Sequence, residues 1–461
     1  MDFAFQDREG FLPSHQHSTQ TYLLQLAKLI DEYRWFLQLH VVDFFTQNHW
    51  DDTRIPTSWK HLEELISDDY EELIELAAKH KVQEDWPLEL SELIQTIKKL
   101  ELNRQPTKNY DFLRTEFKDG SWFNGMTPKK KHEVPLLTGF VETIAKQHSV
   151  RKVVDVGAGQ GYLSCMLACE CNFDVIAVDN NEIQTCGAKK RVNDIIKRIE
   201  FAHKKGNTNS TEIGKFTVVN EHVSIESFNS VIHQFVEEND PWLMCSLHAC
   251  GDLSATMAHM FIQSDSRLLL NIGCCYNLLS EKSDSNPNFV GFPLSRKMKS
   301  DGYFLGRTLR MLACQAPQRW SNNENGAEFF KHNFYRALLQ LIMVKEELIK
   351  ITDEPPKIGK LRKHCFVSFE VYCQSAFARL NYPSDAVSSD TLHKYYQEYL
   401  PFHKRLAIFW TIRSLLAPLL EALVLMDRAC YLQENDCEVD LLPIFDPIES
   451  PRNMVVLARK R

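Results

Sequence analysis

Between Arg151 and Asp179 the chain reads RKVVDVGAGQGYLSCMLACECNFDVIAVD. Gly157, Gly159 and Gly161 follow a run rich in β-branched residues, Lys152 to Val156, opened towards the glycines by Asp155. Glycine has no Cβ and adopts positive φ freely, so a ligand can lie directly on the backbone of such a turn before the next helix begins. Asp179, followed by Asn180, stands roughly 20 residues past the first glycine, where an acid can bond the ribose hydroxyls of an adenosine-containing cofactor. A second group of reactive side chains lies further on. His248, Cys250 and Asp252 sit in LMCSLHACGDLS, and Cys275, Tyr276 and Asn277 in NIGCCYNLL. An imidazole titrates near neutrality, which makes His248 the natural base. Tyr276 and Asn277 offer polar groups that could orient an acceptor.

These residues need a scaffold that brings strand ends together. Lys152 to Val156 and Phe173 to Val178 read as buried strands flanking a helix from Tyr162 to Cys171. Residues 182–198 are helical, 204–215 a polar loop, and Phe216 to His222, Trp242 to His248 and Arg267 to Cys275 three more strands. Alternation of this kind predicts a doubly wound parallel sheet, with ligands outside its carboxyl ends. Cys437 to Phe445 and Asn453 to Ala458, on either side of DPIESPR, predict two closing strands, one of them antiparallel, at the edge.

The glycine spacing selects the cofactor. The fingerprint of dinucleotide sites is GxGxxG, whereas this turn reads D-x-G-x-G-x-G and resembles motif I of class I methyltransferases, which implies S-adenosylmethionine. DVGAGQG, LHACGDLS, NIGCCYNLL, GFPLS at 291–295, MTPKKKHEV at 126–134 and SPRNMVVLARK at 450–460 occur in one order along the chain. Together they resemble the methyltransferase-like protein twenty-five group. The segment Asp43 to Trp59 resembles its shorter branch, named for a ribosomal RNA adenine dimethylase domain. The resemblance implies a class I methyltransferase-like, seven-stranded α/β fold with S-adenosylmethionine on Asp155, Gly157, Gly159, Gly161, Asp179 and Asn180. Their position at the carboxyl ends of the fourth and fifth strands places His248, Tyr276 and Asn277 on the acceptor side. Adenine-amine methyltransferases end their fourth strand with an Asn/Asp-Pro-Pro-aromatic turn, and here that position reads HACG. HACG with CCYN is instead similar to the HLCG and CCHH motifs of a eukaryotic transfer RNA 2′-O-methyltransferase family. RNA is therefore the expected substrate, through a ribose hydroxyl or a base; a protein substrate and a non-catalytic binding module are the alternatives.

Charge and composition bear on partners. The net charge is −8, and residues 1–100 alone hold nineteen acidic against nine basic side chains. Such a surface does not attract RNA, but it suits a protein partner. Arg296, Lys297, Lys299, Arg307, Arg310 and Arg319, interleaved with Tyr303, Phe304 and Trp320, form the expected basic and aromatic stretch for RNA. Thirteen cysteines without CxxC spacing imply a reducing, intracellular setting, cytoplasmic or nuclear, and no metal site. No apolar run follows a basic start in Met1 to His17, as a secretory signal would require.

The expected domain plan is linear. Apolar residues at three- and four-residue steps over 19–47, a helix from Thr57 towards Ala77 and another over Leu88 to Leu102 predict an all-α domain at 1–105. Trp50 and Trp59 read as its core anchors. Residues 106–125 form a linker, and 126–461 the methyltransferase-like domain with a helical insertion at about 280–432. Thr127 as cap and Pro128 at the first position start a helix running to His148. Leu406 to Met426 approaches transmembrane length, but Arg413 and Glu421 would both lie deep in a bilayer, so it is expected to pack within the protein.

Overall fold

The computed structural model describes residues 11–16, 18–106, 122–204, 212–237, 240–282, 288–322 and 326–461. Most of the expected linker, Met1 to Gly10 with His17, and most of the loop at 204–215 lie outside the described residues. The chain forms two compact units, each discontinuous in sequence: Met1–Ala27, Glu101–Cys314 and Leu420–Arg461 in one, Lys28–Leu100 and Gln315–Leu419 in the other.

The first unit is built on a sheet of seven strands. They are β1 (Lys152–Val156), β2 (Asp174–Asp179), β3 (Phe216–Asn220), β4 (Trp242–Cys250), β5 (Leu268–Cys274), β6 (Cys437–Pro443) and β7 (Met454–Lys460), in the order β3-β2-β1-β4-β5-β7-β6. β1 to β5 are parallel, and β7 runs antiparallel between β5 and β6. The expected doubly wound sheet with a closing hairpin is what the chain forms. Helices Pro128–Gln147, Tyr162–Cys171, Glu182–Lys204 and Asp252–Gln263 belong to the same unit. Val153, Val175, Leu243, Leu268 and Leu270 pack with Phe140, Ile144, Leu163 and Leu167 into one buried cluster. Strands covered on both faces carry such runs of apolar residues.

Two features of this sheet position chemistry. The strand order reverses at β1 and β4, which opens a crevice at their carboxyl ends. Between Ser246 and Ala249, β4 advances three residues while β5 advances only two, from Asn271 to Gly273. That bulge spans Leu247 and His248, and an extra residue in one strand re-aims side chains near its end.

In the second unit, short helices close on aromatic side chains. The Phe36 and Phe44 rings lie 5.3 and 5.2 Å from Phe409, and Phe45 lies 5.7 Å from Phe334. Trp50 and Trp59 are buried, as expected of core anchors. The helix expected over 19–47 is broken after Thr19–Glu32 and Arg34–Leu37. Three-residue 3-10 turns at Val41–Asp43 and His49–Asp51 follow. Pieces this short bury little by themselves, which explains why 28–100 packs with 315–419 rather than forming the self-contained domain expected at 1–105.

The apolar stretch expected as one helix is two, His403–Leu415 and Ala417–Gln433. The helical run containing them includes a window long and apolar enough to cross a membrane, and that window is wholly buried. Arg413 donates to the Leu37 carbonyl at 2.7 Å.

Candidate active site

The turn after β1 is set by its backbone. Gly157, Gly159 and Gly161 have φ of 73°, 56° and 68°. A Cβ on Gly157 would lie 2.9 Å from the Leu253 side chain, and one on Gly161 2.8 Å from the Ala188 Cβ. A Cβ on Gly159 would meet nothing nearer than the Gln184 Oε1 at 4.0 Å. Two glycines therefore permit close packing, while the middle one keeps bare backbone at an open surface. Asp179 faces this turn: its Oδ2 accepts from the Gly159 N–H at 2.8 Å and its Oδ1 from the Asn181 N–H at 2.9 Å. Each carboxylate oxygen keeps acceptor capacity for a hydroxyl.

Asp155 is placed differently. It is fully buried and accepts from the Ser164 hydroxyl at 2.5 Å. Burial pushes its carboxyl up to about 6, against the opposing Ser164 hydrogen bond. It ties β1 to the helix that follows the turn and does not line the cavity beside it.

That cavity has a volume of about 540 Å³. Gly157, Asp179 and Asn180 line it from β1 and β2, Glu221 to Glu226 from the segment after β3, and His248, Asp252, Leu253 and Thr256 from the β4 side. The volume lies in the ordinary range for a small-molecule site. The bare backbone at Gly159 and the acceptors on Asp179 fit an adenosine sugar, and no bulky side chain fills the turn.

His248 stands on the cavity wall, half-buried, with its Nε2 3.1 Å from the Glu133 carboxylate. Glu133 is fully buried, accepts from the Ser450 hydroxyl at 2.6 Å and lies 3.3 Å from the Lys129 ammonium. Burial alone would raise its carboxyl. The His248 hydrogen bond and charge, the Lys129 charge and the Ser450 hydrogen bond outweigh burial and hold it below the usual range. An ionised carboxylate requires an N–H on the neighbouring Nε2, so the neutral imidazole keeps its lone pair on Nδ1.

The other expected acceptor residues are not brought to this cavity. Tyr276 is fully buried, and its hydroxyl donates to Glu421 at 2.9 Å. Burial and then the Glu421 charge push its phenol well above the usual range. Glu421 is bound in addition by Arg104, at 2.5 Å, and by Arg452. Tyr276 therefore belongs to a buried ionic cluster, which corrects its expected place facing an acceptor. The reason is local: after β5 the chain turns at Cys275, with φ of 53°, into a 3-10 turn, Tyr276–Leu278, in which Tyr276 is buried. Asn277 is exposed and does not line the cavity; its Oδ1 accepts from the Cys314 thiol at 3.4 Å.

Sequence reasoning missed Glu133. The helix start is as expected, with the Thr127 hydroxyl accepting from the Lys130 N–H at 3.4 Å and Pro128 in the first turn. The signal was nonetheless present, because Glu133 shares helical spacing with Leu137, Phe140 and Ile144, and an acid on an apolar stripe needs a buried partner. Glu221 and His222, directly after β3, were likewise read only as the strand's end. The basic stretch is partly used up internally. Arg310 lies 2.8 Å from Glu281, and Lys297 2.8 Å from Asp301. Lys299, Arg307 and Phe304 are exposed, whereas Trp320 is buried 5.6 Å from Phe330.

A doubly wound sheet with a bare glycine turn after β1, an acid at the end of β2 and a cavity between them is a class I methyltransferase-like arrangement. A family model described as a methyltransferase domain matches residues 129–282, from the helix that carries Glu133 to just beyond β5. The chain is 24% identical to the probable methyltransferase-like protein 25 of Mus musculus, with 73% of this chain and 75% of that protein covered. The same protein of Homo sapiens matches at the same identity and coverage. A crystal structure of coclaurine N-methyltransferase bound to N-methylheliamine and SAH aligns with 96% of this chain and all of its own. Its TM-score of 0.23 and identity of 12% are too low to transfer any feature. The protein is a methyltransferase, and its cofactor is S-adenosylmethionine. Gly157, Gly159, Asp179 and Asn180 are the residues that would hold it.

Proposed function

We propose that this methyltransferase acts on RNA and that its acceptor is a ribose hydroxyl. The observation that carries the reading is the His248–Glu133 pair on the cavity wall. The cofactor supplies an electrophilic methyl group when bound. A ribose hydroxyl is a weak nucleophile, and its attack is helped by a base that takes the proton as the new bond forms. With Nε2 committed to Glu133, the Nδ1 of His248 is free to take that proton, and the buried carboxylate stabilises the resulting imidazolium. The likeness of HACG and CCYN to ribose-methylating motifs, together with the exposed Lys299, Arg307 and Phe304, supports RNA over protein. HACG, in place of a Pro-Pro-aromatic turn, disfavours an adenine amine. The Asp43 to Trp59 segment supports assignment to the shorter, dimethylase-named branch, and the thirteen free thiols fit an intracellular setting.

The test is transfer from labelled S-adenosylmethionine to fractionated cellular RNA and protein. The expected label is sensitive to ribonuclease and protects the adjacent phosphodiester from alkaline cleavage. His248→Ala and Glu133→Gln should each lower the transfer rate by roughly 10²–10⁴-fold, with cofactor affinity in calorimetry little changed. Label in protein or on a base would overturn the reading, as would unchanged rates in both variants.

A further inference from the structure

The carboxyl ends of β4 and β5 bring together three thiols that the transfer chemistry above does not use. The Cys250 and Cys274 sulfurs are 3.1 Å apart, and Cys275 reaches Cys250 at 3.7 Å. All three sulfurs lie within 4.8 Å of one another. We propose that Cys250, Cys274 and Cys275 form a binding site for a thiophilic divalent cation, Zn²⁺, beside the methyl-transfer cavity.

Geometry is the first argument. Zinc–thiolate bonds of about 2.3 Å in a tetrahedron put sulfurs about 3.8 Å apart, inside the spread these three already show. The last residues of β4 and β5 and the residue that follows β5 bring the three side chains together without any of them having to cross the fold. Cys275 takes φ of 53°, unusual for a residue with a side chain, at the step that leads out of β5.

A buried cation stands beside the three thiols. Arg428 is 2% exposed, and none of its three guanidinium nitrogens has a hydrogen-bond partner. Its guanidinium packs so closely on Gly273 that a Cβ there would collide with it, and it lies over the Tyr276 ring at 5.7 Å, in electrostatic range of Tyr276, Asp427, Cys274 and Glu421. A buried cation that makes no hydrogen bonds is costly unless anions stand nearby. Three thiolates around one Zn²⁺ carry a net charge of −1, which would join the Asp427 and Glu421 charges that already act on Arg428. Metal binding requires each thiol to release its proton to solvent. Cys250 is exposed, so the fourth position falls to water, the pattern of an open site and not of a closed structural one. Any such ion would sit two residues along β4 from His248.

The full chain, produced with zinc supplied and purified without chelators or a histidine tag, should contain one Zn²⁺ per chain by elemental analysis. Cobalt exchanged for zinc should give an intense thiolate charge-transfer band. Cys274→Ser combined with Cys275→Ser should remove both signals, while Cys186→Ser, at an exposed thiol elsewhere, should remove neither. Arg428→Met should weaken zinc affinity by roughly 10–100-fold. A folded wild-type chain without metal and without the cobalt band overturns the proposal, as does a Cys250–Cys274 disulfide in protein prepared under reducing conditions. None of these readouts depends on which acceptor is methylated.

Discussion

Asp155 and Asp179 are the same side chain at the ends of neighbouring strands, and their surroundings give them opposite tasks. Asp179 bonds two backbone N–H groups at the rim of the cavity, where a sugar can reach it. Asp155, sealed beneath the turn with its carboxyl pushed up to about 6 by burial, holds a proton that the unfolded chain would have lost above its ordinary 3.8. Folding therefore takes up a proton between those values, and the stability it contributes declines as pH rises from about 4 to about 6. Asp155→Asn keeps an acceptor for Ser164 and removes the titration. In urea unfolding, the variant should gain on the parent by up to roughly 3 kcal/mol between pH 4 and pH 7. Parallel pH profiles for the two proteins would contradict this. At this scale the sequence marked the glycines, Asp179 and His248 because their spacing from strand ends is itself the signal. Tyr276 was misplaced because spacing does not tell which way a side chain faces once a strand has turned into a 3-10 coil.

The strand-to-helix element makes a sharper distinction than its three evenly spaced glycines suggest. Gly161 combines positive φ with 2.8 Å to the Ala188 Cβ, so Gly161→Ala meets both backbone strain and a clash with the following helix. The expected cost is roughly 2–4 kcal/mol of stability, with little change in the cofactor affinity of the molecules that fold. Gly159→Ala faces open space and should cost about 1–2 kcal/mol for the left-handed backbone alone. Its Cβ, however, stands at the surface proposed for the cofactor, and affinity should fall at least tenfold. Thermal melts and calorimetry on the two variants separate these effects, and a reversal of the pattern would remove Gly159 from the cofactor surface. The parallel sheet and its closing hairpin were legible from apolar runs and turn residues. The β4 bulge was not, since a single strand's sequence carries no register, and it is the bulge that places His248 at the cavity edge.

At the scale of the whole molecule, the linear domain plan failed for the same reason that short helices fail in isolation. The segments at 28–100 and 315–419 complete one core, and nothing in a local window shows that Phe36 and Phe44 will meet Phe409. The sequence did mark Trp50 and Trp59 as buried anchors, though of a domain confined to 1–105. Beside them, His49 stacks on Phe409 at 5.7 Å, and its Nε2–H donates to the His40 carbonyl at 3.1 Å. Burial lowers its imidazole from 6.5 to about 4, the His40 hydrogen bond opposing and the Arg413 charge assisting. The unfolded chain then binds a proton between those values that the folded chain refuses. Stability contributed here is fully present above pH 6.5 and is lost as pH falls towards 4, by roughly 3 kcal/mol, opposite in sign to the effect of Asp155. Six of the eight tryptophans, Trp35, Trp50, Trp59, Trp86, Trp320 and Trp410, lie in this unit, so intrinsic fluorescence follows it. The urea midpoint read by fluorescence should drop between pH 7 and pH 4.5 in the parent, and the drop should shrink in His49→Gln, which retains a donor for the His40 carbonyl but does not titrate. Equal drops in the two proteins would mean that the proton goes elsewhere.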